Sequence, residues 1–157
     1  IITKNLNYFV IFRLSWLIGN YSNNFLKKIY IKIKNNNEIS MVNDQVSNPT
    51  TTTMVSKVVK ICCENFYKKK NIFRGIFHLA NEPSISKLDF TKLIYNKSRR
   101  LGLISHQCKI NGISSNEFKN FTKRPTNSSF DLTKIKTKLK TKNLNWKKNI
   151  KKILFKF

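Results

Sequence analysis

Short runs of β-branched and aromatic residues alternate with segments whose apolar residues recur at helical spacing, and this alternation confines the fold more than any other feature of the chain. Phe9–Leu17 reads as one buried strand, followed by Gly19, Asn20 and Ser22 as loop signals. Phe25, Leu26, Ile29, Tyr30 and Ile33 form a helical stripe with Asn23 or Asn24 ahead of it as a cap, and the Asn35-Asn36-Asn37 run ends it. Ile39–Val42 predicts a short strand and Asp44–Pro49 a loop. Thr50–Thr53 lead into a second helix, whose apolar face is Met54, Val55, Val58, Val59, Ile61 and Cys62. Gly75–Leu79 is a further short buried strand and Asn81–Ser84 a turn. Ser86 with Asp89 three residues on is a variant capping box, and Gly102 is placed to stop the helix that carries Leu88, Phe90, Leu93, Ile94 and Leu101. Residues 104–123 hold one irregular strand, within Cys108–Ile113. A short helix starts at Asp131 and runs through Leu139, and Trp146–Phe155 is the last helix. Strands and helices in alternation predict an α/β fold.

Several chemistries are absent from the residues. The chain has 4 glycines, at 19, 75, 102 and 112, so it contains neither a G-x-G-x-x-G nor a P-loop. His78 and His106 stand in unrelated contexts, and His78, inside an apolar strand, reads as a packed structural residue. Tyr30 to Lys34 spells Tyr-x-x-x-Lys, but at a helix end in a lysine-rich chain that match is expected by chance. Cys62, Cys63 and Cys108 have no disulfide or metal spacing and fit free thiols in a reducing cytoplasm. No apolar run approaches the ~18 residues of a membrane span, and Ile1–Phe12 carries Lys4 and lacks a small-residue cleavage site, so no signal peptide is expected. A soluble, cytoplasmic protein is the expectation.

Charge raises a different partner. Lys and Arg total 31 against 7 Asp and Glu, a formal net charge of +24, and such a balance points to nucleic acid or an anionic membrane surface. Lysine outweighs arginine, however, and Asn, Ile and Phe are plentiful, which is the mark of A/T-rich codons. The lysines are spread along the chain, densest from Lys134 to Lys156. Codon bias accounts for them better, and nucleic-acid binding is the weaker reading.

A series of local motifs then carries a resemblance. Phe12-Arg13-Leu14-Ser15-Trp16-Leu17-Ile18-Gly19 is similar to R-[TL]-[SA]-W-[VL]-[YF]-G, and Asn23-Asn24-Phe25 to N-N-F. Val42–Thr50 resembles V-x-D-Q-x-G-x-P-T, and Gly75–Ala80 resembles G-[IL]-Y-H-[LV]-[AV]. Leu88-Asp89-Phe90 is similar to the position written W-x-D-[FY], Arg124–Asp131 to R-P-x-N-S-x-L-[DN], and Leu144-Asn145-Trp146 to L-P-x-W. Taken in order, these segments resemble the C-terminal part of the dTDP-4-dehydrorhamnose reductases, which are extended short-chain dehydrogenases. The resemblance spans nearly all of residues 1–157 as one substrate-binding portion. It implies a Rossmann-like α/β fold with a small substrate-binding subdomain.

It also implies an activity: NADPH (or NADH) delivers a hydride to C4 of the 4-keto sugar of dTDP-4-dehydro-L-rhamnose. The family's glycine loop and its Tyr/Lys pair would lie N-terminal to Ile1, so no catalytic residue is expected in this chain, and the chain alone is expected to be inactive. Trp16 would pack on the substrate sugar; the competing reading is a core tryptophan. Leu14 and Ser15 would flank the nicotinamide through backbone groups. Asn24 would bind the nucleotide-sugar or simply cap a helix. Asp44, Gln45, Pro49 and Thr50 would shape the nucleotide pocket or form a structural turn. Arg124 would meet the substrate diphosphate, since a guanidinium fork suits it, or serve as an ion pair or cap for the segment ending at Asp131. A homodimer of the longer protein is implied as well, without a shared metal, because Lys151, Lys152 and Lys156 crowd the last helix. Two departures stand out: Ser47 replaces the glycine of D-Q-x-G, which puts a positive-φ turn there in doubt, and Asn145 replaces a proline. A non-catalytic relative of the same fold stays open as an alternative.

Overall fold

Each of the three parallel strand pairs joins segments far apart in the chain, as an α/β fold requires. The computed structural model describes every residue except Ile1, Ser22, 71–72, 118–123 and 141–143. The Ser22 loop signal and the last six residues of the 104–123 stretch therefore lie outside the described residues. A single helical turn, α1 (Ile2–Asn5), precedes β1 (Val10–Arg13), which pairs with β6 (Gly75–His78) in the register Val10↔Gly75 to Arg13↔His78. The short strand β2 (Leu17–Ile18) pairs with β5 (Thr50–Thr51), and β3 (Glu38–Val42) with β8 (Lys109–Ile113). Among the described residues, the one antiparallel pair of strands joins β4 (Val46–Ser47) to β7 (Ile85–Ser86).

Helices cover these strands. α2 (Phe25–Lys34) and α4 (Lys87–Arg100) bury Leu26, Ile29 and Ile33 against Phe90 and Ile94, with Trp146 and Ile150 closing the same core. α3 (Thr52–Tyr67) and α5 (Thr133–Leu139) build a second core from Met54, Val58, Phe77, Leu79 and Ile135. α6 (Ile150–Leu154) is the last helix among the described residues. The termini of α4 follow their sequence signals: Ser86 Oγ accepts from Asp89 N at 3.0 Å and donates to Asp89 Oδ2 at 2.7 Å, while Gly102 takes φ +69° just beyond the C-cap.

The structure corrects four sequence-based expectations. Phe9–Leu17 is two strands, because the chain breaks at Leu14–Trp16, where Trp16 takes φ +24°. The second helix buries only Met54 and Val58 of its apolar stripe, leaving Val59 43% and Ile61 40% exposed. The short helix starts at Thr133 because Asp131 Oδ1 accepts from Thr133 N at 2.9 Å, folding a turn ahead of it. The last helix is confined to Ile150–Leu154, since Trp146 is spent as a fully buried core side chain in the preceding turn.

Candidate functional site

β4 is two residues long, yet it is the hub of the site. On one side Val46 and Ser47 pair with Ser86 and Ile85; on the other, Val46 N donates to Thr126 O at 2.7 Å and Ser128 N donates to Val46 O at 2.9 Å. Lys87 is the residue after β7, and Arg124 precedes the 126–128 segment by two. One short strand thus holds both cations at a single cleft. Trp16, Gln45, Ser47, Lys87, Arg124 and Ser128 are among the residues lining a cavity of about 110 Å³. Two larger cavities, of about 380 and 510 Å³, lie elsewhere and include none of the five residues expected to bind substrate or cofactor.

Trp16 reaches this cavity through a backbone conformation that a bulky side chain seldom adopts. Strain of this kind costs about 1–3 kcal/mol and persists where surrounding contacts demand it. Here those contacts are Phe25 and Phe90, whose ring centroids lie 5.0 and 6.0 Å from the indole, together with Thr50 N, which donates to Trp16 O at 3.0 Å. The ring is half-buried, with part of it against the first core and part lining the cavity.

The structure brings Trp16 and Arg124 together and places the other expected residues around or away from them. Ser15 Oγ shares a 2.5 Å hydrogen bond with Ser47 Oγ, which donates in turn to Ser128 O at 3.1 Å. Leu14 is 39% exposed just past β1. Asn24 caps α2: its Oδ1 accepts from Lys27 N at 3.2 Å and its Nδ2 donates to Gly19 O at 2.8 Å. It does not line the cavity. Pro49 and Thr50 are tied into the fold, Pro49 O accepting from Asn81 N at 3.2 Å. Ser47 lies in extended strand and is not among the positive-φ residues, so serine fits there without the glycine. Among the described residues the ion pairs are Lys60–Glu64, Lys109–Glu38 and Lys136–Glu82, none of which uses Arg124. Tyr30 is buried in the core with Lys34 Nζ over its ring, a packing arrangement. His78 stacks on Phe130 at 4.5 Å, as a packed histidine should.

Lys87, Ser47 and Ser128 are cavity residues that the sequence reading did not assign. Lys87 carries no local signal, being one of 31 basic residues at the first position of a helix. Its Nζ donates to Gln45 Oε1, and its backbone N donates to Gln45 O at 3.1 Å. Partial burial, reinforced by the neighbouring Arg124 charge, lowers its pKa from the ordinary lysine value, while Asp44 opposes the shift. Ser115 N and Ser115 Oγ donate to Asp44 Oδ2 at 2.9 and 2.8 Å, holding its carboxyl below the usual range, while Asp44 Oδ1 is buried without a hydrogen-bond partner among the described residues. The cleft is therefore polar, flanked by an aromatic face and two cations, and suited to an anion joined to a flat or ring-shaped group. Among the described residues no group of three or more His, Cys, Asp or Glu gathers to hold a metal, and no helix is long and apolar enough to cross a membrane.

Comparison with known proteins identifies the family and the fold. The family described as the RmlD substrate binding domain matches residues 1–157. A dTDP-4-dehydrorhamnose reductase of Aggregatibacter actinomycetemcomitans is 30% identical over 144 residues, which is 92% of this chain and 49% of that protein. The Escherichia coli K12 reductase is 23% identical, with 92% and 48% covered. The chain spans about half the length of the curated relatives it matches. Among solved structures, the Bacillus anthracis dTDP-4-dehydrorhamnose reductase in complex with NADP superposes with a TM-score of 0.83 at 24% identity, covering 99% of this chain and 51% of that one. The Clostridium acetobutylicum reductase gives 0.76 at 27% identity, with 93% and 48% covered. The α/β fold expected from the sequence is thus that of about half of a Rossmann-like reductase, and the chain belongs to the RmlD substrate-binding-domain family.

Proposed function

We propose that residues 1–157 form the substrate-binding portion of a dTDP-4-dehydrorhamnose reductase, with Trp16 against the substrate sugar and Arg124 at its diphosphate. The observation that carries this reading is the cavity shared by Trp16 and Arg124, residues 108 positions apart in sequence that β4 draws together. An indole face can fix a sugar ring, and a guanidinium can take two phosphate oxygens at once. Asn24 acts in this reading as the cap that fixes the start of α2, and its part in nucleotide binding would run through that role.

The reaction would be reduction of the 4-keto group of dTDP-4-dehydro-L-rhamnose to give dTDP-L-rhamnose. A nicotinamide cofactor, NADPH or NADH, supplies the hydride when bound. The fit of this chain to it is partial. Leu14 offers an exposed apolar flank, whereas the Ser15 hydroxyl is engaged by Ser47, so Ser15 would contribute backbone contact only. The glycine loop and acid–base pair belong, in this reading, to a cofactor-binding portion outside residues 1–157. Homodimerisation of the longer protein and a cytoplasmic setting are part of the same proposal. The latter draws support from three free cysteines.

The test is a titration of the purified chain with dTDP-L-rhamnose, followed by tryptophan fluorescence and calorimetry. Saturable binding is expected. Arg124→Gln should weaken it by about 1.5–3 kcal/mol, the usual worth of a hydrogen bond to a charged group, and Trp16→Ala should abolish the fluorescence response. An absence of saturable binding, or binding indifferent to both substitutions, overturns the proposal.

A further inference from the structure

We propose that Lys87 is the second cation of this cavity, set across β4 from Arg124 so that the two side chains hold a diphosphate-type dianion between them. The placement follows from the pairing. Ser86, just before Lys87, is opposite Val46 on one side of β4, and Thr126–Ser128 are hydrogen-bonded to Val46 on the other. Both cations therefore emerge at the same end of one two-residue strand and line the same cavity.

The local charge is only partly compensated: Asp44 acts on Lys87 through space and opposes its pKa shift, and among the described residues neither Lys87 nor Arg124 forms an ion pair. Asp44, the acid that couples to Lys87, gives its Oδ2 to Ser114 and Ser115. Asp89, in the first turn of α4, accepts from the Ser86 hydroxyl. Gln45 supplies only a neutral carbonyl oxygen to the ammonium. Lys87 is also the first residue of α4, a 14-residue helix whose positive end lies behind it. Two like charges facing one cleft repel, and an anion with charge on two phosphates relieves both. Half-burial of Lys87 supports the same conclusion, because desolvation and the Arg124 charge lower its pKa against the opposing pull of Asp44, and an anion beside it would offset both. Ser47 and Ser128 add neutral polar groups at the cavity wall. The inference rests on the proposed function for the identity of the natural ligand, though not for the anion site itself.

The probes are inorganic pyrophosphate and inorganic phosphate, titrated into the wild-type chain, Lys87→Gln, Lys87→Arg and Lys152→Gln. The last removes the same unit of charge from an exposed lysine outside the cavity. Pyrophosphate should bind wild type more tightly than phosphate does. Lys87→Gln should weaken pyrophosphate about tenfold, with Lys87→Arg restoring it and Lys152→Gln staying within twofold of wild type. A readout that needs no variant is lysine acylation of the wild-type chain followed by peptide mass analysis. Pyrophosphate should protect Lys87 several-fold and leave Lys152 unprotected. Equal labelling of Lys87 with and without pyrophosphate, or equal weakening by Lys87→Gln and Lys152→Gln, overturns the inference. If dTDP-L-rhamnose binds and Lys87→Gln does not change it, the Lys87 assignment falls and the substrate reading stands. If pyrophosphate binds through Lys87 but dTDP-L-rhamnose binds no better, the anion site stands and the substrate reading falls.

Discussion

Asn81 is the side chain whose loss the fold should tolerate least. Only 2% exposed, it lies between β6 and the Glu82–Pro83 turn and joins three segments. Its Oδ1 accepts from Thr51 N at 2.8 Å and Thr51 Oγ1 at 3.0 Å, and its Nδ2 donates to Leu144 O at 2.6 Å. Beside it, Asn48 Nδ2 donates to Asn81 O at 3.1 Å and Asn48 Oδ1 accepts from Phe130 N at 2.8 Å, so the network reaches the segment just downstream of Ser128. Asn81→Ala leaves the Thr51 N–H and the Thr51 hydroxyl without their acceptor, and strips one of two hydrogen bonds from the Leu144 carbonyl, which keeps Glu82 N at 2.9 Å. Each orphaned buried group costs about 1–3 kcal/mol, and some water entry into the vacated space recovers a part. A net loss of about 3 kcal/mol is expected, against a total of roughly 5–15 kcal/mol for a domain of ordinary stability. Urea unfolding followed by circular dichroism reads it as a midpoint lowered by about 1–3 M, for a slope of about 1–3 kcal/mol per molar. A midpoint shift below about 0.3 M with unchanged slope would refute the reasoning, since water would then be replacing the whole network at no cost.

The remaining expectations are simpler. A Cβ at Gly19 would sit 2.4 Å from Thr52 Oγ1 and 2.8 Å from Thr52 Cγ2. Gly19→Ala should therefore cost about 1–3 kcal/mol by overpacking, and adding Thr52→Ala should recover most of it, a non-additivity visible in a double-mutant cycle of melting free energies. Asp44, Asp131 and Glu38 are all held below their ordinary pKa, chiefly by hydrogen bonds from Ser115, Thr133 and Asn111 respectively. Depressed folded-state values mean that the unfolded chain takes up protons first. Their stabilisation is whole above about pH 4, the unfolded range, and drains away as pH falls further. Urea midpoints measured from pH 7 down to pH 3 should decline below that point, and less steeply in Asp44→Asn; a flat profile counts against the assignment. Burial, with the adjacent Cys63 second, raises the Cys62 thiol to about 11, and burial raises Cys108 as well. At pH 8 a thiol-reactive dye should label the exposed Cys63 well ahead of both, and simultaneous labelling of all three would contradict the buried placements.

Helix α4 was readable almost to the residue because its signals are local. Ser86 and Asp89 close a cap within one turn, Gly102 alone supplies the left-handed stop, and an apolar stripe runs between them, with Thr91 and Ser98 buried on the same helix. β8 was legible only as one irregular strand within Cys108–Ile113, and it runs over Lys109–Ile113. α3 was legible as a helix but not in its burial. Composition marks Val59 and Ile61 as apolar, and nothing in a sequence says whether a partner layer covers them. Both halves of the site lay in the motifs, Trp16 in one and Arg124 in another, whereas the residues that join them, inside the Val42–Thr50 motif, read as loop and not as strand. β4 is two residues long with one polar member, too short for any periodicity to register, and its partners are 38 and 40 residues away in β7 and 81 away at Asn127. Lys87 was invisible by the same logic, because its meaning depends on what β4 sets opposite.

Trp16 shows the limit most directly. The largely apolar run from Phe9 to Leu17, interrupted only by Arg13 and Ser15, favours one continuous strand on pattern alone. A continuous strand would carry residues 14–16 onward in the pleat of β1, with side chains alternating across the sheet. The chain instead turns at φ +24°. That turn starts the second pairing, Leu17 with Thr50, and lets the indole pack on Phe25 and Phe90 while one part still lines the cavity. The local preference of a bulky residue is overridden by contacts with residues 9 to 74 positions away. An inference from periodicity therefore fails at the residue on which the site depends, because the site is built where tertiary packing outweighs local preference.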